Sequence, residues 1–390
     1  MPRIVVAGYY GFGNAGDEAM LESTLEALRR EIPGSQFTVL TADPEQTREA
    51  YAVDVVHRFS PSAVVAALRR ADMFVFGGGS LLQDVTSLRS LLYYLSILLA
   101  AQRMGKPTMI YGNGFGPVNS PLGKAVTRLV LEGTGAITLR DAESARQVES
   151  LGVTGPLVRV TADPAFDLEP SAPSAAAEIL RANGISEKDA PLVGLSVRPW
   201  SDAQALPGTV AAACDMMCDH LGATVVFIPM QGGQDCPLLR EIAAKMKGRH
   251  AMIEPGRSPR DLMGCIGMLD AVIGMRLHSL VFGVAMGVPV AGITYDPKVT
   301  ALLEAVGCPN AGSPRTVTAE SIFDAARFLL DHSVELKRSL GRAREEMRRL
   351  AAENAVIARQ LLEGQIGPAT SPRPLKGRRR RDREPGPRTP

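Results

Sequence analysis

The sequence predicts an α/β protein made of two doubly wound domains in tandem. Short apolar runs alternate with helical patterns along residues 1–168 and again along residues 191–310. This alternation is typical of a parallel sheet covered by helices on both faces. The chain has 390 residues, more than one ordinary core holds. Its content of 45% hydrophobic and 22% charged residues indicates a globular protein with apolar material for two cores.

The strands of the first domain follow in order along residues 1–168. Arg3–Gly8 is the first apolar run, and the glycine-rich segment Gly11–Glu18 leads from it into a helix. Short apolar runs between helical patterns read as strands that are buried on both faces. Six more are predicted: Phe37–Leu40, Val53–Val56, Met73–Phe76, Met109–Tyr111, Ala136–Leu139 and Val158–Thr161.

A Pro- and Ser-rich segment begins at Glu169 and predicts a linker over residues 169–190. The second alternating set then fills residues 191–310. Its predicted strands are Leu192–Val197, Thr224–Ile228, Met252–Glu254, Ala271–Ile273 and Val290–Ile293.

The pattern after Lys298 is helical. Residues 311–366 are predicted to form C-terminal helices, and Ser333–Glu363 carries an apolar stripe on a surface rich in Glu and Arg. Such a helix can cross back and bridge the two domains. The composition of residues 367–390, rich in Pro, Gly and Arg, cannot bury a core and predicts a disordered basic tail.

This tail carries the basic charge of the chain. From Arg373 onward there are eight Lys or Arg and two acidic residues, although the whole chain has a net charge of only +2. A peripheral contact with an anionic membrane is one interpretation and a solvated extension is the other; no nucleic-acid partner is expected. Because neither a secretory signal nor a bilayer-length apolar run is evident, we expect a cytoplasmic protein, with the inner face of the cell membrane as its point of contact if the tail binds lipid.

The segment Gly11–Gly16 matches the GxGxxG pattern of dinucleotide-binding loops. Asp17 and Glu18 follow it directly, and two carboxylates at this helix N-terminus would repel a pyrophosphate. Two other interpretations stay open. The acids cap the helix behind a flexible loop, or the loop binds substrate and Asp17 accepts hydrogen bonds from hydroxyls or removes a proton from one.

Glycine segments also end two later strands, at Gly77–Ser80 and Gly112–Pro117. Glycine at the carboxyl end of a parallel strand lets the backbone approach a ligand. A tight turn without a ligand is the alternative at both places. The five cysteines form no CxxC pair and have no zinc pattern, so no metal site is expected.

Cationic side chains stand at the ends of further strands. Arg140, Arg198 and Arg276 each follow an apolar run, and Lys298 follows the next one along. His278 is two residues from Arg276, and in an extended segment the two side chains point the same way. Guanidinium groups suit carboxylate and phosphate, and imidazole changes charge near neutral pH. The sequence therefore predicts an anion site with a titratable group, although Arg140 also fits a solvated surface residue.

Taken together, five motifs resemble the polysaccharide pyruvyl transferases, and specifically the bacterial CsaB type. The resemblance runs in order from Ile4 to about residue 310 and excludes the basic tail. The motifs are Gly13-Asn-Ala-Gly-Asp-Glu-Ala19, Phe76-Gly-Gly-Gly-Ser-Leu-Leu-Gln83, Leu139-Arg-Asp-Ala-Glu-Ser144, Ser196-Val-Arg-Pro-Trp200 and Gly274-Met-Arg-Leu-His-Ser279.

This resemblance implies a GT-B-like fold, in which two Rossmann-like domains face each other across the active site. It also implies transfer of enolpyruvate from phosphoenolpyruvate to a sugar, with release of phosphate. For the CsaB type the acceptor is the terminal N-acetylmannosamine of a lipid-linked cell-wall polymer precursor, which becomes a 4,6-linked pyruvate ketal. The polymer then holds S-layer proteins. No redox step, cofactor or metal is required.

Motif positions assign roles to individual residues. Arg198, Arg276, the backbone of Leu277 and Lys298 are assigned to the donor, and His278 is the expected acid that protonates it. The remaining positions face the acceptor, with Asp17 the expected base and Arg140, Asn14 and Gly79 as further acceptor-side residues.

Two other functions stay open. A nucleotide-sugar glycosyltransferase or epimerase of the same fold would need an acid in the second domain to hold a ribose, and Glu254 is the candidate. A sugar-binding protein without catalytic activity is the other.

Overall fold

The computed structural model describes residues 1–186 and 191–367. Of the basic tail 367–390, which was predicted to be disordered and for which membrane contact is one of two interpretations, residues 368–390 lie outside the described ranges. The first half of the chain forms a seven-stranded parallel sheet in the order β3-β2-β1-β4-β5-β6-β7. Its strands are β1 (Arg3–Ala7), β2 (Gln36–Thr41), β3 (Asp54–His57), β4 (Met73–Gly77), β5 (Thr108–Asn113), β6 (Ala136–Leu139) and β7 (Leu157–Val160).

Helices connect these strands and cover both faces of the sheet. A short 3-10 turn, Pro164–Asp167, follows β7. The helices are α1 (Ala15–Glu31), α2 (Pro44–Tyr51), α3 (Pro61–Arg70), α4 (Leu88–Arg103), α5 (Pro121–Glu132) and α6 (Ala142–Ser150).

The second half forms a six-stranded parallel sheet in the order β10-β9-β8-β11-β12-β13. Its strands are β8 (Leu192–Ser196), β9 (Thr224–Phe227), β10 (His250–Met252), β11 (Ala271–Gly274), β12 (Val290–Ile293) and β13 (Asn310–Gly312). The helices of this half are α7 (Pro173–Ala182), α8 (Leu206–Leu221), α9 (Gly232–Lys245), α10 (Pro259–Ile266), α11 (Leu277–Met286), α12 (Pro297–Val306), α13 (Ala319–Asp331) and α14 (Ser333–Leu362).

Each sheet has a point at which its winding reverses. In the first sheet β1 lies between β2 and β4, and in the second β8 lies between β9 and β11. Helices on the two sides of such a point leave a crevice at the carboxyl ends of the strands, which is where open α/β sheets bind ligands. The loops that end β1, β4, β8 and β11 therefore define the ligand side of each domain.

The structure corrects two predictions about chain organisation. Residues 169–190, predicted as a linker, contain helix α7, which begins at Pro173 and buries Ala176 and Leu180. The pattern after Lys298 is not wholly helical, because Asn310–Gly312 pairs with β12 as the edge strand β13. Helix α7 has ten residues whose apolar positions are mostly alanine and follows a Pro- and Ser-rich segment, and β13 has only three residues, so the pattern did not reveal either element.

Helix α14 runs along both domains. Leu340, near its start, belongs to an apolar cluster with residues of the second domain, whereas Ala355 and Ala358 belong to the core beneath the first sheet. The charged residues between them face solvent, as the amphipathic pattern predicts. No helix in the described ranges has the length and apolarity that a membrane span requires.

Candidate active site

A cavity of about 670 Å³ lies where the carboxyl ends of the two sheets face each other. Its volume is within the usual range for sites that bind small molecules. Both domains contribute to its walls, and it includes every residue that the sequence assigns to the site of pyruvyl transfer. These are Asn14, Asp17, Gly79, Arg140, Arg198, Arg276, Leu277, His278 and Lys298.

The glycine-rich loop after β1 delivers Asp17 to this cavity. Asn14 caps helix α1, and its side chain accepts a hydrogen bond from the Gly16 N–H at 3.0 Å. Glu18 turns the other way and accepts the Gly11 N–H at 2.8 Å. The Gly11 N–H of the loop is therefore bonded to Glu18 and is not available to a ligand. The two adjacent acids have different roles. Glu18 fixes the loop, and Asp17 faces the cavity.

Asp17 is 8% exposed. Burial raises the pKa of its carboxyl to about 7; positive charge at His278 and Arg140 opposes this shift, and the nearby Glu18 and Asp163 carboxylates add to it. A carboxyl group with a pKa near 7 can exchange a proton at neutral pH, which an ordinary aspartate cannot do efficiently.

Arg140 is not a solvated surface residue. Its side chain is 7% exposed, and its Nη1 lies 3.0 Å from Asp163 Oδ2. Nη2 donates to the Ser80 hydroxyl at 3.0 Å. Ser80 ends the glycine segment after β4, so this contact joins the loops that follow two strands. Asp163 was missed by the sequence analysis, although it follows the last predicted strand of the first domain and the rule that found Arg140 applies to it.

His278 lies in the first turn of helix α11, which begins at Leu277. The prediction of an extended segment was therefore wrong, and the side chains of His278 and Arg276 take different directions. The imidazole Nε2 is buried and lies 3.4 Å from Asp163 Oδ2. The ring also packs against Gly16 of helix α1, where a Cβ atom would overlap Nδ1. An imidazole from the second domain is thus held between two elements of the first.

Arg276 is buried and forms an ion pair with Asp235. Its Nη2 lies 2.5 Å from Asp235 Oδ1, and Asp235 Oδ2 accepts the backbone N–H groups of Met230 and Gln231 at 3.1 and 2.9 Å. The sequence analysis did not identify Asp235, which lies within helix α9 rather than at a strand end. Much of the Arg276 fork is therefore engaged by protein groups.

Arg198 has a different environment. Its guanidinium lies 5.4 Å from the centre of the Tyr295 ring, and Nη1 is 3.4 Å from the tyrosine hydroxyl. Its Nε is buried without a hydrogen-bond partner, and no carboxylate within residues 1–186 and 191–367 forms an ion pair with it. Trp200, the single tryptophan of the chain, packs on Tyr295 with 4.7 Å between the ring centres.

Lys298 lies in the first turn of helix α12. Burial lowers the pKa of its amine, and Asp296, 3.9 Å away, partly restores it. By contrast, Glu254 does not line the cavity. Its side chain is 63% exposed and pairs with Arg257, so the acid that a nucleotide-sugar enzyme would need was wrongly assigned.

Solved structures with the same fold are numerous. MnaA of S. aureus in complex with UDP aligns with a TM-score of 0.64 at 14% identity, covering 93% of this chain and 97% of that one. The UDP-GlcNAc 2-epimerase of Neisseria meningitidis bound to UDP-GlcNAc gives a TM-score of 0.60 at 12% identity, covering 93% of this chain and 100% of that one. At this identity the likeness concerns the fold alone, and it confirms the predicted GT-B-like fold of two parallel-sheet domains.

Sequence comparisons are more specific. The amylovoran biosynthesis protein AmsJ of Erwinia amylovora is 20% identical over 420 residues, which cover 89% of this chain and 96% of that protein. The family model for polysaccharide pyruvyl transferases matches residues 14–297, which span both sheets and the cavity between them. The chain belongs to the polysaccharide pyruvyl transferase family.

Proposed function

We propose that this protein transfers the enolpyruvyl group of phosphoenolpyruvate to a sugar and forms a pyruvate ketal. The proposed acceptor is that of the CsaB type, a terminal N-acetylmannosamine of a lipid-linked cell-wall polymer precursor ketalised at its 4- and 6-hydroxyls. The family match and the likeness to a polysaccharide biosynthesis protein support pyruvyl transfer to a polysaccharide. The donor and the acceptor sugar are inferred from the motifs and from the chemistry of the cavity.

The environment of Arg198 is the main support for phosphoenolpyruvate as the donor. A half-buried guanidinium without a carboxylate partner in the described part of the chain favours an anionic ligand, since a buried charge is costly unless it is paired. Phosphoenolpyruvate offers a carboxylate and a phosphate, and Arg276 and Lys298 supply further N–H donors in the same cavity. Hydrogen bonds to charged groups contribute about 1.5–3 kcal/mol each.

The reaction balances without a cofactor. A proton added to the C3 methylene turns it into a methyl group and makes C2 an oxocarbenium-like centre. One sugar hydroxyl adds to C2 and loses its proton. The bond between C2 and the phosphate ester oxygen then breaks, phosphate leaves with that oxygen, and the second hydroxyl closes the ketal. Of the two hydroxyl protons, one restores the proton that the acid gave to C3, and the other leaves with phosphate.

His278 and Asp17 are the proposed proton carriers. His278 can deliver the proton to C3 because imidazole changes charge near neutral pH. Asp17, on the opposite domain, can accept a hydroxyl proton because its pKa is raised to about 7. The two groups line one cavity, and this supports a reaction in which the donor carbon and the acceptor hydroxyls bind between them.

The decisive experiment measures phosphate release from phosphoenolpyruvate with and without a lipid-linked disaccharide that ends in N-acetylmannosamine. We expect release only when the acceptor is present, together with a product that is heavier by one pyruvyl ketal. Thermal stabilisation by UDP but not by phosphoenolpyruvate would instead favour a nucleotide-sugar enzyme. Binding of the lipid-linked disaccharide and of phosphoenolpyruvate without phosphate release would indicate a non-catalytic sugar-binding protein.

Replacement of His278 by alanine should preserve the fold and lower the turnover number by about 10²- to 10⁴-fold, the usual contribution of one acid or base. His250→Ala is the matched control, because His250 is an exposed histidine on the edge strand β10 and lies away from the cavity. Steady-state phosphate release measures both variants. A wild-type turnover number in His278→Ala would remove His278 from the mechanism.

A further inference from the structure

Asp163 occupies the centre of the charged cluster, and every part of its carboxylate has a partner. Oδ1 accepts the Ala165 N–H at 3.1 Å and begins the 3-10 turn. Oδ2 lies 3.0 Å from Arg140 Nη1 and 3.4 Å from His278 Nε2. The residue is 4% exposed. Asp163 and Arg140 belong to the first domain and His278 to the second, so this carboxylate joins the domains at the imidazole.

The backbone around Asp163 is held on both sides. Asn354 of helix α14 donates to the Ala162 carbonyl at 3.2 Å, and Ser23 of helix α1 donates to the Pro164 carbonyl at 2.5 Å. Two helices thus fix the peptide units that flank the carboxylate. A side chain supported in this way can orient another group without moving itself.

The carboxylate of Asp163 keeps its negative charge. Burial alone would raise its pKa, but His278 and Arg140 outweigh burial and hold the pKa at about 2. A fixed negative charge therefore faces Nε2 at any pH at which the protein would work. Among the described residues, Asp17 also interacts electrostatically with the imidazole, and Arg140 shares the Asp163 carboxylate with it; both lie on the same domain as Asp163.

The two ring nitrogens of His278 differ in access. Nε2 is buried 3.4 Å from Asp163 Oδ2, but no group in the described part of the chain makes a well-aligned hydrogen bond with it. Nδ1 is not fully buried, and it packs against Gly16 of helix α1, where a Cβ atom would overlap it. The proton on one nitrogen of a histidine is set by the hydrogen bond that the other nitrogen makes. The negative charge of Asp163, 3.4 Å from Nε2, favours a proton on that nitrogen and leaves Nδ1 to exchange the other one.

We propose that Asp163 is a positioning residue that fixes the Nε2 proton of His278, so that Nδ1 carries the proton exchanged with the ligand. This proposal rests on the proposed function. The Nδ1 proton passes to C3 of the donor, while the Nε2 proton stays beside Asp163. Since the carboxylate and the imidazole come from different domains, the acid is complete only when the domains are closed.

Asp163→Asn keeps the shape of the side chain and removes its charge. We expect the turnover number to fall by about 10²- to 10⁴-fold, because a neutral partner neither fixes the tautomer nor stabilises the imidazolium. Affinity for phosphoenolpyruvate, measured by the fluorescence of Trp200, should change less than about threefold. The alkaline limb of the pH–rate profile should move to lower pH. Asp167→Asn is the control, a buried acid of the same turn that pairs with Arg30 outside the cavity.

A double-mutant cycle separates this role from an effect through Arg140. If Asp163 acts through His278, then adding Asp163→Asn to His278→Gln should cause less than about a threefold further loss. Losses that multiply would overturn the proposal. Should Asp163→Asn fail to fold, Gly16→Ala tests the same arrangement from the other side, because its methyl group would overlap Nδ1 and force the imidazole away from its position. Turnover in Gly16→Ala within threefold of wild type would contradict the assignment of Nδ1.

One readout does not depend on the proposed activity. Diethyl pyrocarbonate acylates neutral imidazole, and peptide mapping reports His278 separately from the other four histidines. At pH 7 the reaction of His278 should be at least about threefold faster in Asp163→Asn than in the wild type or Asp167→Asn. Equal rates would overturn the role of Asp163 whether or not phosphate is released. Absence of phosphate release from the wild type would instead contradict the proposed function and leave the modification result valid.

Discussion

At the scale of single residues, glycines decide how closely charged side chains meet in the cavity. A Cβ atom at Gly79 would lie 3.0 Å from Asp17 Oδ1, and one at Gly114 would lie 3.0 Å from the Arg140 guanidinium. Gly16 makes the same room for His278. From the sequence, the glycines at strand ends were predicted to let the backbone approach a ligand. The structure shows that these glycines also admit the side chains that would act on the ligand.

Asp17 should make the folded protein less stable as the pH rises. Its pKa is raised from 3.8 to about 7 on folding, so between these values the folded state keeps a proton that the unfolded state has lost. Asp17→Asn abolishes this effect. Relative to the wild type, the variant should therefore gain roughly 2–3 kcal/mol in the free energy of unfolding between pH 5 and pH 8.

Urea unfolding at several pH values measures this difference. Asp324→Asn is the control, because Asp324 is a surface acid of helix α13 whose side chain is 57% exposed. Its difference from the wild type should stay nearly constant over the same range. The raised pKa of Asp17 would be refuted if the two variants followed parallel curves.

The sequence revealed the ligand-facing residues better than their partners. Charged residues at strand ends are visible in the pattern, and Arg140, Arg198 and His278 all line the cavity. The carboxylates that hold them are harder to find. Asp235 pairs with Arg276 from within a helix, and Asp163 lies next to His278 only because the two domains pack against each other. Pairing of this kind depends on tertiary packing, which residue spacing does not encode.

At the scale of elements, helix α14 supports the site from behind. Asn354 is fully buried; its amide donates to the Ala162 carbonyl, and its Oδ1 accepts from the Thr161 hydroxyl at 2.8 Å. These residues directly precede Asp163. A polar residue in the apolar stripe of a helix is explained here by the backbone that it holds in place.

Asn354→Leu should lower stability and activity together. The substitution leaves a buried carbonyl and a buried hydroxyl without their amide partner, which costs roughly 1–3 kcal/mol. Displacement of Asp163 should also reduce the turnover number, on the order of tenfold or more. Glu353→Gln is the control on the same turn, because Glu353 is part-exposed and pairs weakly with Arg159. Chemical unfolding and phosphate release measure both effects. A variant that loses stability but keeps full turnover would show that α14 does not position the site.

The sequence pattern predicts the boundaries of some elements better than those of others. Buried strands such as Met73–Gly77 are continuous apolar runs and were predicted closely. The start of helix α11 was missed because Arg276, its N-cap, makes no side-chain capping bond. A Ser, Asp or Asn at the N-cap position is a recognisable start signal in the sequence, and helix α11 lacks it.

At the scale of the whole molecule, one apolar core connects the domains. Ala15 and Ala19 of helix α1 share a cluster with Leu262 and Val281 of the second domain and with Ala351 of α14. Arg260 of helix α10 adds ion pairs to Glu22 and Glu26 on α1. The sequence indicated two domains and a bridging helix. It could not show that α1 is buried between them, because its apolar positions fit either sheet.

This shared core predicts that the two domains unfold together. Differential scanning calorimetry of the full chain should give a single transition, because separation of the domains would expose the apolar surface of α1. Ala19→Asp places an unpaired charge at a fully buried position in this cluster and should split the transition in two, because each sheet retains its own core. Leu129→Asp, on the exposed face of α5 at 61% exposure, should leave one transition. Two transitions in the wild type, or one in Ala19→Asp at an unchanged midpoint, would mean that the domains are held together by something other than this core.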